Sequence, residues 1–357
     1  MKAELWRLPF FLVLTFVGLN VFAQNGMLRD FPTDLKGPRP LNLTQLVLGR
    51  SCQTMLPYAY SPPCNAAFLA INKEKAFVAN GYIGDDYRKV NDYRSLLDAH
   101  DEVGLVQKAL AEKDAVKAQA GAALWVQAKQ FTLSYMPLYV DFYNLNRNRA
   151  YPEVGLHVSQ EKTLAGQYGF RFDSAPYLMW GLQTRYVERR FVHQELALLD
   201  YLSNPEVLRI QDQKSLYIEP SLVYFAPGDW RFRTTAQVSN WGFGLSGERD
   251  GSDVGPFFDL GIGLTPPLGW GDWDVGLTYS FDQNIPANSS RLRLGTAYNL
   301  GLVSALIGYQ TDDMSFGIIS SFMAARVGVS YRHQRILDFD GVKKDRSAAY
   351  VEFSLVL

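Results

Sequence analysis

Residues 291–298 read Arg291-Leu292-Arg293-Leu294-Gly295-Thr296-Ala297-Tyr298, and the chain closes on Ala349-Tyr350-Val351-Glu352-Phe353-Ser354-Leu355-Val356-Leu357. In the first stretch Leu292, Leu294, Thr296 and Tyr298 share one face of an extended chain, and Arg291, Arg293, Gly295 and Ala297 share the other. In the second, Ala349, Val351, Phe353, Leu355 and Leu357 alternate with Tyr350, Glu352, Ser354 and Val356. A period of two belongs to a strand. The pattern recurs in short segments over roughly the last 140 residues, and nothing beyond the N-terminus is apolar for the ~20 residues a spanning helix needs. A soluble sandwich alternates too. In lipid, however, only a closed sheet leaves no backbone edge unpaired. The expectation is an all-β, transmembrane, antiparallel up-and-down barrel.

The N-terminus supports export. Lys2 and Arg7 precede an apolar stretch from Pro9 to Phe22, and Val21-Phe22-Ala23 offers a small-residue cleavage site before Gln24, so residues 1–23 read as a signal peptide. An uncleaved anchor is the alternative, but the stretch is short for a span. The full chain has 35 basic and 36 acidic side chains; loss of Lys2, Arg7 and Glu4 leaves 33 and 35, a net charge of −2. That balance indicates neither nucleic acid nor an anionic surface as a partner. Twenty Tyr, 22 Phe, 7 Trp and 29 Gly suit aromatic girdles and tight turns. The mean hydropathy of −0.11 is compatible with a barrel, which shows lipid only alternate residues.

Residues 24–75 form a separate unit. Pro32, Pro38, Pro40, Pro57, Pro62 and Pro63 break any long element, while Leu41, Leu43, Leu46, Val47, Leu48, Phe68, Leu69 and Ile71 are too apolar for a solvated tail. The segment reads as a plug or a periplasmic cap. Its Cys52 and Cys64 are expected to pair, because export places them where disulfides persist. Closing that loop restricts the unfolded segment by roughly 3 kcal/mol in the chain-entropy model.

The barrel is assigned to residues 76–357. Between Asp92 and Gln119 the period becomes helical, through Leu96, Leu97, Val103, Val106, Ala109, Leu110, Ala115 and Val116, and predicts two short amphipathic helices over the barrel mouth or on the membrane surface. A loop helix is expected at about 193–203. Strand candidates fall at 76–84, 122–130, 131–143, 152–160, 163–172, 177–192, 215–225, 230–240, 256–265, 272–281, 291–299, 302–310, 315–322, 326–333 and 347–357. Even strand numbers are the rule, so two of these fifteen are one strand or one is false, and twelve or fourteen strands are expected. Short linkers such as Pro227-Gly228-Asp229, Ala287-Asn288-Ser289 and Thr311-Asp312-Asp313 carry turn residues.

No motif points to catalysis. His100, His157, His193 and His333 stand apart, with no metal-ligand spacing, and neither a metal nor a cofactor is expected. Gly261-Ile262-Gly263 and Gly242-Phe243-Gly244 lack the context of a phosphate loop and read as glycines that let a strand bend. A hydrolase would need His157 with Ser159, or His333 with Ser330. The informative polar residues lie opposite the apolar face. If Phe232, Thr234, Ala236 and Val238 meet lipid, then Arg231 and Arg233 face the lumen, together with Arg171, Arg185, Glu219, Asp259, Asp274, Arg291, Arg293, Arg326, Arg332 and Glu352. An Arg on the lipid face near the midplane costs ~2–4 kcal/mol, which enforces this assignment. The set either fills a closed barrel with a salt-bridge ladder or lines a water-filled constriction. Trp180, Tyr186, Tyr224, Trp230, Trp241, Trp273, Tyr279, Tyr298, Tyr309 and Tyr331 are expected to form the aromatic girdle.

With these features the mature chain resembles the outer-membrane barrels that include FadL-type transporters of hydrophobic compounds and TraF-type proteins of conjugal-transfer operons. The resemblance rests on Pro63-Cys64-Asn65-Ala66-Ala67-Phe68-Leu69-Ala70, placed where that family carries an Asn-Pro-Ala motif. It rests also on the helical 92–119 stretch, the Trp230–Trp241 strand with Asn240, and a C-terminal strand. Here Ala66 stands where the motif has proline, and Leu357 replaces the usual terminal aromatic. The resemblance implies a porin-like protein of the Gram-negative outer membrane that passes or binds small, hydrophobic or lipidic molecules. Its partners would be outer-membrane lipid and a hydrophobic small molecule. The alternatives are a homo-oligomeric, lipid-enclosing structural protein and, third, an outer-membrane hydrolase.

Overall fold

Each alternating segment pairs antiparallel with the next in sequence, and the first pairs with the last. The computed structural model describes residues 38–57, 60–85, 87–112, 116–147, 153–197, 209–247, 256–281, 291–310, 313–337 and 343–357. The strands are β1 (Lys75–Gly84), β2 (Val116–Ala128), β3 (Phe131–Arg147), β4 (Glu153–Arg171), β5 (Leu178–Ala197), β6 (Gln211–Phe225), β7 (Arg233–Ser239), β8 (Gly242–Ser246), β9 (Phe257–Leu264), β10 (Asp272–Phe281), β11 (Leu292–Asn299), β12 (Val303–Gln310), β13 (Asp313–Phe322), β14 (Ala325–Leu337) and β15 (Lys343–Val356). β15 pairs with β1, opposing Val356 to Val78 and Tyr350 to Gly84, so the sheet closes. The wall has fourteen staves, because β7 and β8 both pair with β6 and form one stave in two pieces. Among the described residues no helix is long and apolar enough to cross a membrane.

Two expected strands, 152–160 and 163–172, are one. Gln160-Glu161-Lys162 resembles a turn in sequence, but β4 runs through it without interruption, with Glu161 buried on the inner face. The loop helix at 193–203 is overturned over its described part. β5 stays extended to Ala197, because its pairing with β4 continues to Glu153 and a ladder bond is available at each step. Residues 198–203 lie outside the described residues, as does the signal peptide.

The helical insertion is shorter than 92–119 and begins earlier. Tyr87–Asp98 and Glu102–Ala111 are helices, here α2 and α3, and Val116 already belongs to β2. Asp101 caps α3 by accepting from Gly104 N at 2.8 Å. The pair packs on the outer face of β3–β5, above the level where Lys162, Glu188 and Lys214 mark the end of the apolar belt. Tyr93 stacks on Phe142 with ring centroids 3.8 Å apart, and Leu97, Leu105, Val106 and Ala109 cover Val154, Leu156, Val158 and Val192. Burial pushes the Tyr93 phenol above its ordinary range, and Glu112 and Asp92 push it further.

Pro137 explains a change of phase in β3. Lacking an N–H, proline interrupts a ladder, and the register against β2 and β4 slips at residues 136–139. Thr132, Ser134 and Met136 face inward before the bulge, and Tyr139, Asp141 and Tyr143 after it. A second irregularity lies between β7 and β8. Asn240 adopts φ 56°, a left-handed conformation that asparagine tolerates better than most residues.

The outer wall carries a belt of exposed Leu, Ile, Val, Phe and Tyr, such as Leu294, Phe316, Ile318, Val351 and Phe353. A continuous surface of that kind faces lipid. The interior is occupied by residues 38–57 and 60–72. Helix α1 (Leu43–Leu48) is followed by one 3-10 segment at Gly49–Thr54 and another at Ala66–Ile71, and Cys52 and Cys64 are joined in a disulfide. Leu43, Leu46, Val47, Leu48 and Met55 pack on the inward side chains Val78, Tyr82, Trp125, Met136, Leu306 and Ile319.

Candidate functional site: the filled lumen

Irregular backbone inside a barrel has no ladder to join, so its N–H and C=O groups need side-chain partners. The wall supplies them. Glu352 accepts from Leu43 N, and Asp274 accepts from Leu56 N at 2.7 Å. Arg233 Nε donates to Thr54 O at 2.5 Å, Gln167 Nε2 to Pro63 O at 3.0 Å, Trp125 Nε1 to Tyr60 O at 2.9 Å, and Ser315 Oγ to Val47 O at 2.5 Å. Arg326 Nη2 donates to Thr44 Oγ1 at 2.6 Å. From the other side, Arg39 of the inner segment donates to Glu161 at 2.6 Å and lies 3.3 Å from Asp141, over the ring of Tyr139.

These bonds explain the buried charges of the wall. Arg233 is fully buried, paired with Asp274 and bonded to Thr265. Arg185 and Glu219 form a two-pronged pair at 2.8 and 2.9 Å. Both also grip the break in the β7–β8 stave: Asn240 N donates to Glu219 at 2.8 Å, and Arg185 donates to Asn240 Oδ1 at 2.8 Å. Arg326 lies 3.6 Å from Glu352, Arg332 pairs with Asp313, and Asp259 accepts from Ser280 with Arg50 4.0 Å away. Arg293 donates to Gln310 at 2.8 Å. Arg291 shares the inward face of Arg293 nearer the rim and is half-buried.

Two residues of the expected lumen set are placed otherwise. Arg231 precedes β7 in a turn, with φ 43° and an exposed side chain, because the strand starts at Arg233, three residues after the expected start at Trp230. Arg171 keeps the inward parity but ends β4 at the rim, where it is exposed.

Conversely, sequence reading missed Arg39, Arg50, Asp141, Glu161, Arg189 and Asp313. Asp141 and Glu161 were obscured by the bulge at Pro137 and by the apparent turn at 160–162. Arg39 and Arg50 belong to a segment without periodicity.

The expected girdle residues carry outward-facing rings at two levels. Trp180, Tyr224, Trp230, Trp273 and Tyr298 lie toward the end with short turns, and Tyr186, Trp241, Tyr279, Tyr309 and Tyr331 lie higher. Trp230 sits in a turn and Trp241 at the β7–β8 break. Six residues separate Trp273 from Tyr279 on β10, about 20 Å along the strand.

The inward glycines answer to packing rather than to bending, a correction for Gly261 and Gly263. A methyl group at Gly261 would meet the Thr54 side chain, one at Gly308 the Val47 carbonyl oxygen, and one at Gly181 the backbone of Ala66 and Ala67. Glycine permits that approach because it has no Cβ.

A cavity of about 180 Å³ remains between the inner segment and the wall. Its lining joins Gln53, Gln119, Gln167, Gln183 and Gln237 and the arginines 39, 50, 185, 293 and 332 to Leu41, Leu46, Leu48 and Met136. The amide oxygens of Gln53, Gln119, Gln167 and Gln237 have no partner among the described residues.

The hydrolase pairs do not assemble. Ser159 Oγ donates to Glu161 at 3.3 Å rather than to His157. Ser330 faces inward, whereas His333 lies on the opposite face, 3.2 Å from Ser347 on β15. His157 instead meets Asp141 and His193, at 3.3 and 3.1 Å.

No protein-family model matches the chain, and no curated protein matches it in sequence. Solved structures similar to it are outer-membrane proteins. A "TodX deltaS2S3 mutant monoaromatic hydrocarbon channel" aligns with TM-score 0.49 and 10% identity over 87% of this chain and 97% of its own. The P. putida toluene transporter TodX aligns with TM-score 0.43 and 10% identity over 82% and 93%. Outer membrane phospholipase A from Escherichia coli aligns with TM-score 0.35 and 11% identity over 79% and 92%.

Proposed function

We propose that this protein is a porin-like conduit of the outer membrane, closed at rest by its own residues 38–72 acting as a plug, for small molecules that carry both an apolar face and hydrogen-bonding groups. Support comes from one observation above all: Glu352, Asp274, Arg233, Gln167 and Ser315, buried side chains from five different strands of the wall, bond backbone groups of this segment, and further buried polar side chains line a small cavity beside it. A salt-bridge ladder built only to fill a barrel would have no reason to satisfy a second piece of chain. An open constriction would not contain one.

Size and lining narrow the cargo. About 180 Å³ is below the ~300–1,000 Å³ typical of sites for drug-sized ligands, so the resting cavity takes a small solute rather than a lipid. Leucines and Met136 on one side, with glutamine amides and arginines on the other, suit a solute with an apolar body and a polar group. Outer-membrane barrels keep short turns in the periplasm and long loops outside, which places both chain termini of the barrel on the periplasmic side and α2–α3 outside.

Conductance across a planar bilayer tests the proposal. The full chain is expected to show low unit conductance, and Gly308→Val combined with Gly181→Val, which leaves the lipid-facing wall untouched and crowds the plug, is expected to raise it several-fold. Equal conductance for the two proteins would show that the plug is not the closure.

A further inference from the structure

Three residues far apart in sequence meet near the outer mouth of the barrel. β4 and β5 place His157 directly opposite His193, and β3 places Tyr143 beside His157. All three lie on the inward parity, above the level of Lys162 and Glu188, and so outside the apolar belt. His157 is buried and His193 half-buried. Their Nδ1 atoms approach to 3.1 Å, and the rings stand at 75°. On its far side, His157 Nε2 lies 3.3 Å from Oδ1 of the fully buried Asp141, whose other oxygen lies 3.3 Å from Arg39.

Asp141 sets the tautomer. The Asp141 carboxylate, held by Arg39, accepts a hydrogen bond from the Nε2–H of His157, which leaves the lone pair of that tautomer at Nδ1. That lone pair points to the equivalent nitrogen of a second imidazole. The gap between them then calls for an electrophile, either a proton or a metal cation. Two nitrogens bound at about 2.0–2.1 Å to one tetrahedral ion are about 3.3 Å apart, close to the spacing found here. The carboxylate on the outer nitrogen of a ligating histidine is the usual way such a ring is oriented and made more basic.

We infer that His157 and His193 form a binding site for a divalent late transition-metal ion, of the Cu2+ or Zn2+ type, in the outer mouth of the barrel, with Asp141 as its outer-sphere orienting group. Imidazole nitrogen selects these ions over magnesium and calcium. Among the described residues no group of three or more His, Cys, Asp or Glu side chains could hold an ion, so of these residues the two histidines are the ligands offered and solvent or a solute completes the shell. An open site of this kind is exchangeable. It goes beyond the conduit reading and does not depend on it.

The test is titration of the full-length barrel, prepared without a polyhistidine tag, in detergent with Cu(II), followed by electron paramagnetic resonance and calorimetry; Zn(II) is then used to compete. The expected result is one Cu(II) per chain with splitting from two nitrogens. His157→Gln and His193→Gln should each weaken binding at least tenfold, and Asp141→Asn by about tenfold. His100→Gln and His333→Gln should leave it unchanged. The different electrophoretic mobility of unboiled and boiled samples verifies that each variant is a folded barrel. Absence of stoichiometric binding by the folded wild type would overturn the inference, as would Cu(II) binding that survives loss of His193 undiminished.

Discussion

Arg233 shows how one side chain links the wall to the inner segment. It joins β7 to Asp274 on β10 and to Thr54 of the inner segment while fully buried. Removing one partner of such a pair leaves the other charge without compensation, at a cost of about 3–5 kcal/mol. Arg233→Ala is therefore expected to lower the urea midpoint of the folded barrel markedly, whereas Arg293→Ala, which removes hydrogen bonds to the neutral Gln310 and Ser280, costs less. Equal midpoints for the two variants would count against the tether. The same logic explains why the arginines face inward. Lipid offers them no partner, whereas the lumen offers acidic and amide side chains of the wall and, to Arg233, a backbone carbonyl of the inner segment.

At the scale of elements, the α2–α3 hairpin is held by an outer patch that would otherwise be bare. Tyr93 and Phe142 form its stack, with Val154, Leu156, Val158 and Val192 around them. The Tyr93 hydroxyl is buried and its ionisation is opposed first by burial and then by Glu112 and Asp92. With the folded pKa above the ordinary value near 10, the stabilisation is complete below pH 10 and is lost as the pH rises beyond it. Limited proteolysis within residues 87–111 should accelerate above about pH 10 in the wild type. Tyr93→Phe, which keeps the stack and removes the titrating group, should flatten that rise; an unchanged profile would assign it to another group.

The whole molecule is a cylinder within which a second short chain segment is folded. The disulfide between Cys52 and Cys64 spans 12 residues of that segment and ties the α1 region to the second 3-10 segment. In the chain-entropy model its loss loosens the inner segment by roughly 3 kcal/mol without touching the ladder of the wall. Cys52→Ser with Cys64→Ser should therefore raise bilayer conductance at urea concentrations where the unboiled barrel still migrates as folded. Parallel loss of the barrel and the closure would show that plug and wall unfold as one unit.

Period-two alternation in Arg291–Tyr298 and Ala349–Leu357, read together with the export signal and the abundance of aromatic residues and glycine, identified a closed barrel, because lipid leaves a strand no other arrangement. The inward set from Arg185 to Glu352, apart from Arg231, followed from the same argument, since an arginine in hydrocarbon is too costly. What local pattern could not convey was anything that depends on register or on a second layer. Glu161 looked like part of a turn until β5 and Arg39 were in place beside it; Asp141 was hidden by the phase change at Pro137; and 193–197, helical by its own period, is strand because β4 runs alongside. His157 and His193 lie 36 residues apart and meet only through strand pairing. Alternation reports the environment of one strand at a time, whereas the contacts of the inner segment, the cavity and the histidine pair arise from distances between strands, which closure of the sheet alone establishes.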